Sequence, residues 1–188
     1  MKQAKRKNRV AYRRKREGRT NYKKRLKLLM SKKPRLIIRK TNQQIILQIA
    51  EYAPDGDRVL CGVNSNILKK MGWKYSCKNL PACYLSGLLL GKRALAKKVN
   101  EAILDAGLQT LVPGSRIYTA LRGVIDAGLK VPASDKVFPS PERVLGKHIT
   151  DFFITAKDPL QFSAYKKNKA DPKNLPQDFE VYKKKIKG

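Results

Sequence analysis

A chain of 188 residues with 43 Lys and Arg against 14 Asp and Glu carries a formal net charge of +29, yet 41% of it is hydrophobic. That is enough apolar matter for one cored domain with basic extensions, so a purely charge-driven polyelectrolyte is disfavoured. The excess charge points to partners, nucleic acid first and an anionic membrane second. No apolar run approaches the roughly 18 residues of a spanning helix, and no signal-like stretch follows the basic N-terminus, so a soluble intracellular protein is expected.

Residues 1–33 form a basic arm whose centre, Arg13 to Leu26, reads RRKREGRTNYKKRL. Glu17 is its only acid, and the stretch is too charged and too poor in aliphatic residues to offset its own ordering entropy. It is expected to stay mobile until a polyanion neutralises it. Arg forks hold phosphates bidentately, Gly18 allows a tight turn, and Tyr22 offers a ring for stacking. The interruptions at Gly18, Thr20 and Tyr22 favour a shaped RNA site over a nonspecific basic arm, the alternative reading of the same residues. A short helix is expected from Tyr22 to Met30, with Leu26 and Met30 anchoring the arm to the body. Pro34 marks the boundary.

From Arg35 the period becomes that of strands. RLIIRKT, QIILQIAEY and DRVLCGV are separated by Asn42-Gln43 and by Pro54-Asp55-Gly56, which predicts an antiparallel meander. Leu36 and Ile38 then share the core face, and Arg35, Ile37, Arg39 and Thr41 the other. A short helical piece covers Ser65 to Met71. Trp73, in the basic loop Gly72 to Lys78, reads as a packed anchor rather than a stacking platform.

Asn79 caps a long helix to about Val99, with Pro81 in its first turn and Gly87 and Gly91 allowing close packing on the sheet. Ala102 to Leu108 suits a buried strand reached by a crossover helix. Ser115 caps the next helix, which stops at Gly128, and Leu129 to Val131 adds an edge strand. Ser140-Pro141-Glu142 opens a helix through about Phe153. Gln177 to Ile186 makes a small amphipathic helix with Phe179, Tyr182 and Ile186 inward. Together these elements predict an α/β fold, a three-layer α/β/α sandwich with a mixed sheet. It divides into an arm (1–33), a core domain (34–154) and a C-terminal extension with a short helix (155–188). Cys61, Cys77 and Cys83 are odd in number and lack zinc-site spacing, so buried free thiols in a reducing compartment are expected.

The ordered set RRKREGRTNYKKRL, PRLIIRKTN, NLPACYLSGLLLGKRA, EAILDAGL, GSRIYTALRGVIDAGLKVP and GKHI runs through most of the chain. It resembles the family of large-subunit ribosomal protein eighteen, the 5S ribosomal RNA binder, in its archaeal and eukaryotic branch. The resemblance implies a ribonuclease-H-like motif and a cytoplasmic protein of the large ribosomal subunit. It also implies 5S rRNA, large-subunit rRNA and neighbouring large-subunit ribosomal proteins as partners, and no membrane, small-molecule substrate, metal or cofactor. RNA contacts expected on the arm are Arg9, Arg13, Arg14, Arg16, Gly18, Arg19, Thr20, Tyr22, Lys24 and Arg25. On the body they are Arg39, Thr41 and Asn42, then Lys74, Ser76, Lys78 and Asn79 around a helix start whose free N–H groups favour phosphate, then Arg143, Lys147 and His148. Asn21 stands where the family most often has an acid, and Cys83 where it usually has Ala.

A metal-dependent nuclease needs clustered carboxylates with an acid on the first strand, and RLIIRKT has none. Asp105 on a later strand and Asp126 on a helix are too scattered for a two-metal site. A DNA-compacting or membrane-binding protein driven by charge alone leaves the long patterned core unexplained. The expected role is therefore structural RNA binding without catalysis.

Overall fold

The computed structural model describes residues 10–156 and 159–188. In chain order the elements are α1 (Arg13–Arg16), α2 (Tyr22–Met30), β1 (Arg35–Lys40), β2 (Ile45–Glu51), β3 (Arg58–Asn64), α3 (Ile67–Lys70), α4 (Leu80–Ala96), β4 (Ile103–Asp105), α5 (Arg116–Asp126), α6 (Pro141–Leu145), α7 (Lys147–Thr155), α8 (Ser163–Lys167) and α9 (Leu175–Lys187). The two-residue period of β1 buries Leu36 and Ile38 completely, and on β2 it does the same for Ile45, Leu47 and Ile49. β1 pairs antiparallel with β2, Leu36 opposite Ile49 and Ile38 opposite Leu47. β2 pairs antiparallel with β3 through a register shift at Ile49/Ala50. β4 lies parallel to β1, Arg35 opposite Ile103 and Ile37 opposite Asp105, so the sheet is mixed with order β3-β2-β1-β4. Only a crossover can deliver a parallel neighbour, and α4 provides it.

α4 starts as its sequence dictates. Asn79 Oδ1 accepts from Ala82 N at 3.0 Å, and Pro81 sits in the first turn, where its missing N–H costs nothing. Twelve of its seventeen residues are buried, so it must be covered all round rather than along one stripe. One side joins α5 over the sheet in a core that includes Leu36, Ile38, Leu90, Ile117 and Leu121. The other meets the C-terminal segment in a second core, where Leu175, Phe179 and Ile186 pack with Leu85, Leu88 and Trp73. Trp73 is a packed anchor, its indole N–H donating to Ser76 O at 3.3 Å. The cysteines are free and buried, and burial pushes the Cys83 thiol up to about 12. The sheet face turned away from α4 is crossed by α2, so helices lie on both sides and the α/β layering is as expected.

Five local expectations are corrected. Leu26 and Met30 do not anchor the arm: they are 63% and 73% exposed, whereas Leu28 is half-buried and lines the cleft that Ile37 and Leu104 also line. Leu129 to Val131 forms no strand; only Lys130 makes a bridge, to Glu101. The helix after Ser140 breaks at Gly146, which turns left-handed (φ 88°) to ride on Leu175 and Pro81, leaving no room for a side chain. Gly87 and Gly91 serve helix against helix, because a Cβ at Gly87 would lie 2.1 Å from Ala120 O of α5. Ser115 occupies the cap position of α5, but its hydroxyl makes no cap bond.

Candidate nucleic-acid interface

The arm is shaped by its few non-cationic residues. α1 ends at Gly18 (φ 63°), where Gly18 N bonds Lys15 O at 3.1 Å and Arg19 N bonds Arg14 O at 2.9 Å. Glu17 collects Arg13 Nε at 2.8 Å and Arg19 Nε at 3.2 Å, and Arg14 Nε donates to Thr20 Oγ1 at 2.9 Å. Asn21 Oδ1 then caps α2 by accepting from Lys24 N at 3.1 Å, so a neutral residue keeps the cap oxygen of an acid without its charge. The Tyr22 ring lies 5.1 Å from that of Tyr12, which is 72% exposed. Arg13, Arg14, Arg16, Arg19 and Lys24 are all exposed. Arg9 lies outside the described residues.

What holds α2 to the sheet is a chain of alternating charges. Arg25 grips Asp57 with both terminal nitrogens, at 3.0 and 2.8 Å. Asp57 also accepts from Arg35 Nη2 at 2.5 Å, and Arg35 Nη1 donates to Asp105 at 2.7 Å. Arg39 completes the chain, donating to Asp105 Oδ1 at 3.0 Å and to its carbonyl at 2.5 Å, while Gly107 N adds 2.8 Å to the same carboxylate. Arg35 is 2% exposed, so its charge is tolerable only because two carboxylates meet it. Arg25 and Arg39, expected to touch RNA, are half-buried and pair with carboxylates of the protein at the edge of the sheet.

Between α2 and the sheet lies a cleft of about 1030 Å³. Arg14, Arg19, Thr20, Tyr22, Lys24 and Lys27 line one wall; Ile37, Leu104, Leu108, Gln109 and Leu111 line the other. Thr41 and Asn42 belong to the same end of the sheet. The Thr41 hydroxyl shapes the hairpin by donating to Gln44 O at 2.9 Å and accepting from Gln44 N at 3.0 Å, and Gln109 ties Lys40 to the cleft loop through both of its backbone groups.

The remaining predicted residues sit in another layer. Lys74 and Lys78 are exposed, with Ser76 and Asn79 half-buried between them. The start of α4 is not a free phosphate cradle: Asn79 takes Ala82 N, Pro81 has no N–H, and Cys83 N bonds Asn79 O. The C-terminal segment also closes on this loop, Asn168 Nδ2 donating to Lys74 O at 3.1 Å. Gly146 packs on Pro81, which brings Arg143, Lys147 and His148, all exposed, to the same end of α4. Desolvation and the Arg143 charge hold His148 below its ordinary value. The predicted residues thus form two basic regions, one on the sheet face and one beyond α4.

Sequence reasoning missed Arg35, Asp57 and Asp105, the residues that organise the cleft. With 14 acids among 43 cations, any acid flanked by strand arginines was the available signal. Asp126 is likewise committed, to Tyr84 Oη at 2.8 Å and Arg122 Nε at 3.0 Å. Among the described residues no cluster of three or more His, Cys, Asp or Glu is placed to hold a metal, and no helix is long and apolar enough to cross a membrane.

Desolvation pushes the Asp57 carboxyl up, but hydrogen bonds from Arg25 and Arg35 and their charges outweigh it and leave the group below its ordinary value. Asp105 is lowered in the same way by Arg39, Gly107 N and Arg35 against desolvation. A lowered carboxyl stabilises the fold fully above its unfolded value of about 4 and loses that contribution as pH falls further. The thermal midpoint is therefore expected to drop as pH falls below about 4. A D57N/D105N variant should show a shallower drop over that range; an equally steep one would exclude these two groups as its source.

Comparison with known proteins decides what kind of chain carries this arrangement. A family model described as "Ribosomal large subunit proteins 60S L5, and 50S L18" matches residues 6–101. The large ribosomal subunit protein uL18 of Thermofilum pendens is 46% identical over 184 residues, covering 95% of this chain and 94% of its own length. The chain belongs to the uL18 family of large-subunit ribosomal proteins. As in the sequence reading, it is a ribosomal structural protein by family. The family model spans most of the arm, β1 to β3 and all of α4, and ends just before β4. The relative's similarity extends over nearly the whole chain, including most of the segment that closes the second core.

Proposed function

We propose that this uL18-family protein binds 5S ribosomal RNA and helps attach it to the large ribosomal RNA in the central protuberance, as a non-catalytic constituent of the large subunit. One observation supports this most: the arm is pinned across the sheet by internal charge pairs, which sets Arg14, Arg19, Lys24 and Lys27 along one wall of a single cleft. Arg13, Arg14, Arg16, Arg19 and Lys24 are the phosphate contacts, and Arg25, Arg39 and Thr41 shape the site from behind. The region around Lys78, Arg143, Lys147 and His148 lies beyond α4 and meets a different RNA segment or a neighbouring ribosomal protein. Two faces would let one chain join two RNA molecules.

Replacing Arg13, Arg14 and Arg16 together with Ala is expected to weaken 5S RNA binding. It should also flatten the dependence of log affinity on log salt by about two, since each phosphate contact contributes about 0.7–0.9 to that slope. A titration in which the slope is unchanged would remove these residues from the interface. Preference for 5S RNA over an unrelated transcript of equal length is the direct test of the proposal; equal affinity for both would sink it.

A further inference from the structure

The cleft between α2 and the sheet has a charged rim and an apolar floor, and a phosphate backbone uses only the first. The polar side chains of the floor are already spoken for. Asp57 and Asp105 are filled by three arginines, and the Gln109 amide exchanges both of its bonds with the Lys40 backbone, at 3.1 and 2.8 Å. Arg35 Nε has no partner, but it is buried beneath the surface. What the floor offers a ligand is aliphatic: Ile37 and Leu104 are half-buried, and Leu108 and Leu111 remain 52% and 43% exposed.

We propose that this cleft takes unpaired nucleobases, laid face-on against the aliphatic floor, while their phosphates run along the cationic rim of Arg19, Lys24 and Lys27. The inference rests on the RNA-binding reading above and names the part of the RNA that the cleft receives. A stacked duplex presents its phosphates and keeps the faces of its bases away from such a floor, whereas a loop can splay them. The volume is near the upper end of small-ligand sites, about 300–1,000 Å³, and admits a base with its sugar. With the floor's polar side chains consumed, the cleft reads the face of the base rather than its edge, so the four bases are accepted alike.

The test compares a single-stranded RNA hexamer with the same backbone carrying abasic sites, each titrated against the full chain. The hexamer is expected to bind about tenfold more tightly than its abasic counterpart, with base identity changing affinity far less. A double variant, Leu108→Ser with Leu111→Ser, alters only exposed side chains and leaves the core intact; it should erase that difference while leaving the abasic affinity unchanged. Equal binding of the two oligomers overturns the inference, as does undiminished discrimination by the variant. Equal displacement of the hexamer by a Leu- and Glu-rich peptide would also overturn it. None of these results bears on 5S RNA preference, which is read separately on the intact RNA, so the base site can fail while the proposed function stands.

Discussion

An Asp105→Ala variant is expected to lose about 3–5 kcal/mol of stability, the cost of breaking a buried ion pair and leaving its partners without compensation. The reason lies in the stoichiometry of the chain. Arg25, Arg35 and Arg39 face Asp57 and Asp105, three cations against two anions, and Arg35 is almost wholly out of water. Removing Asp105 strands Arg35 on one remaining carboxylate and leaves Arg39 with backbone carbonyls alone, those of Ile38 and of residue 105 itself. The Gly107 N–H loses its acceptor as well, and with it the turn that carries Leu108 into the cleft. Urea denaturation measures the loss. The double variant Arg35→Met with Asp105→Leu should recover much of it, because a buried pair can often be replaced by apolar groups at little net cost. A loss below about 1 kcal/mol in the single variant would mean that water reaches Arg35 and that the chain of charges is a surface feature.

The same charge chain marks the limit of what sequence alone could show. Its links join residues 22, 32 and 70 positions apart, and no local period or spacing connects them. Composition shows that cations are in excess but cannot say which of them also pair internally, as the Arg39 guanidinium does with Asp105. Elements whose reason is local were legible. The meander follows from alternation and turn residues, α4 from its cap and first-turn proline, and α9 from an amphipathic stripe. Leu26 was misassigned because the spacing of α2 reveals a stripe without saying which of two adjacent leucine faces meets the sheet; docking through Arg25 turns Leu28 inward instead. The helix break at Gly146 is tertiary in origin, since it is Leu175 and Pro81 that leave no room there. The arm residues were named, but the cleft they form with Leu104 and Leu111 depends on how two distant segments dock.

Gly87→Ala is expected to cost about 3 kcal/mol, although alanine is the better helix former by about 1 kcal/mol. The new Cβ would lie 2.1 Å from Ala120 O and 3.2 Å from Val124 N, both backbone atoms of α5 that no rotamer change can move. The contact is reciprocal: a Cβ on Gly123 of α5 would lie 2.2 Å from Tyr84 O of α4. The two helices therefore touch backbone to backbone, and a methyl group forces them apart by more than an ångström. That separation withdraws Ile117, Leu121 and Val124 from the sheet core they share with α4. It also has a functional arm. α5 begins just after the loop that carries Leu108 and Leu111, and Arg116 in its first turn donates to Thr41 O at 3.4 Å, so a displaced α5 disturbs the cleft. Ile186→Ala, in the second core beyond α4, should cost about 2–5 kcal/mol without touching that rim. Under conditions where both variants remain folded, Gly87→Ala should lose RNA affinity and Ile186→Ala should keep it. Equal affinity losses would mean that binding follows global stability, and that the close approach of α4 and α5 has no separate part in shaping the interface.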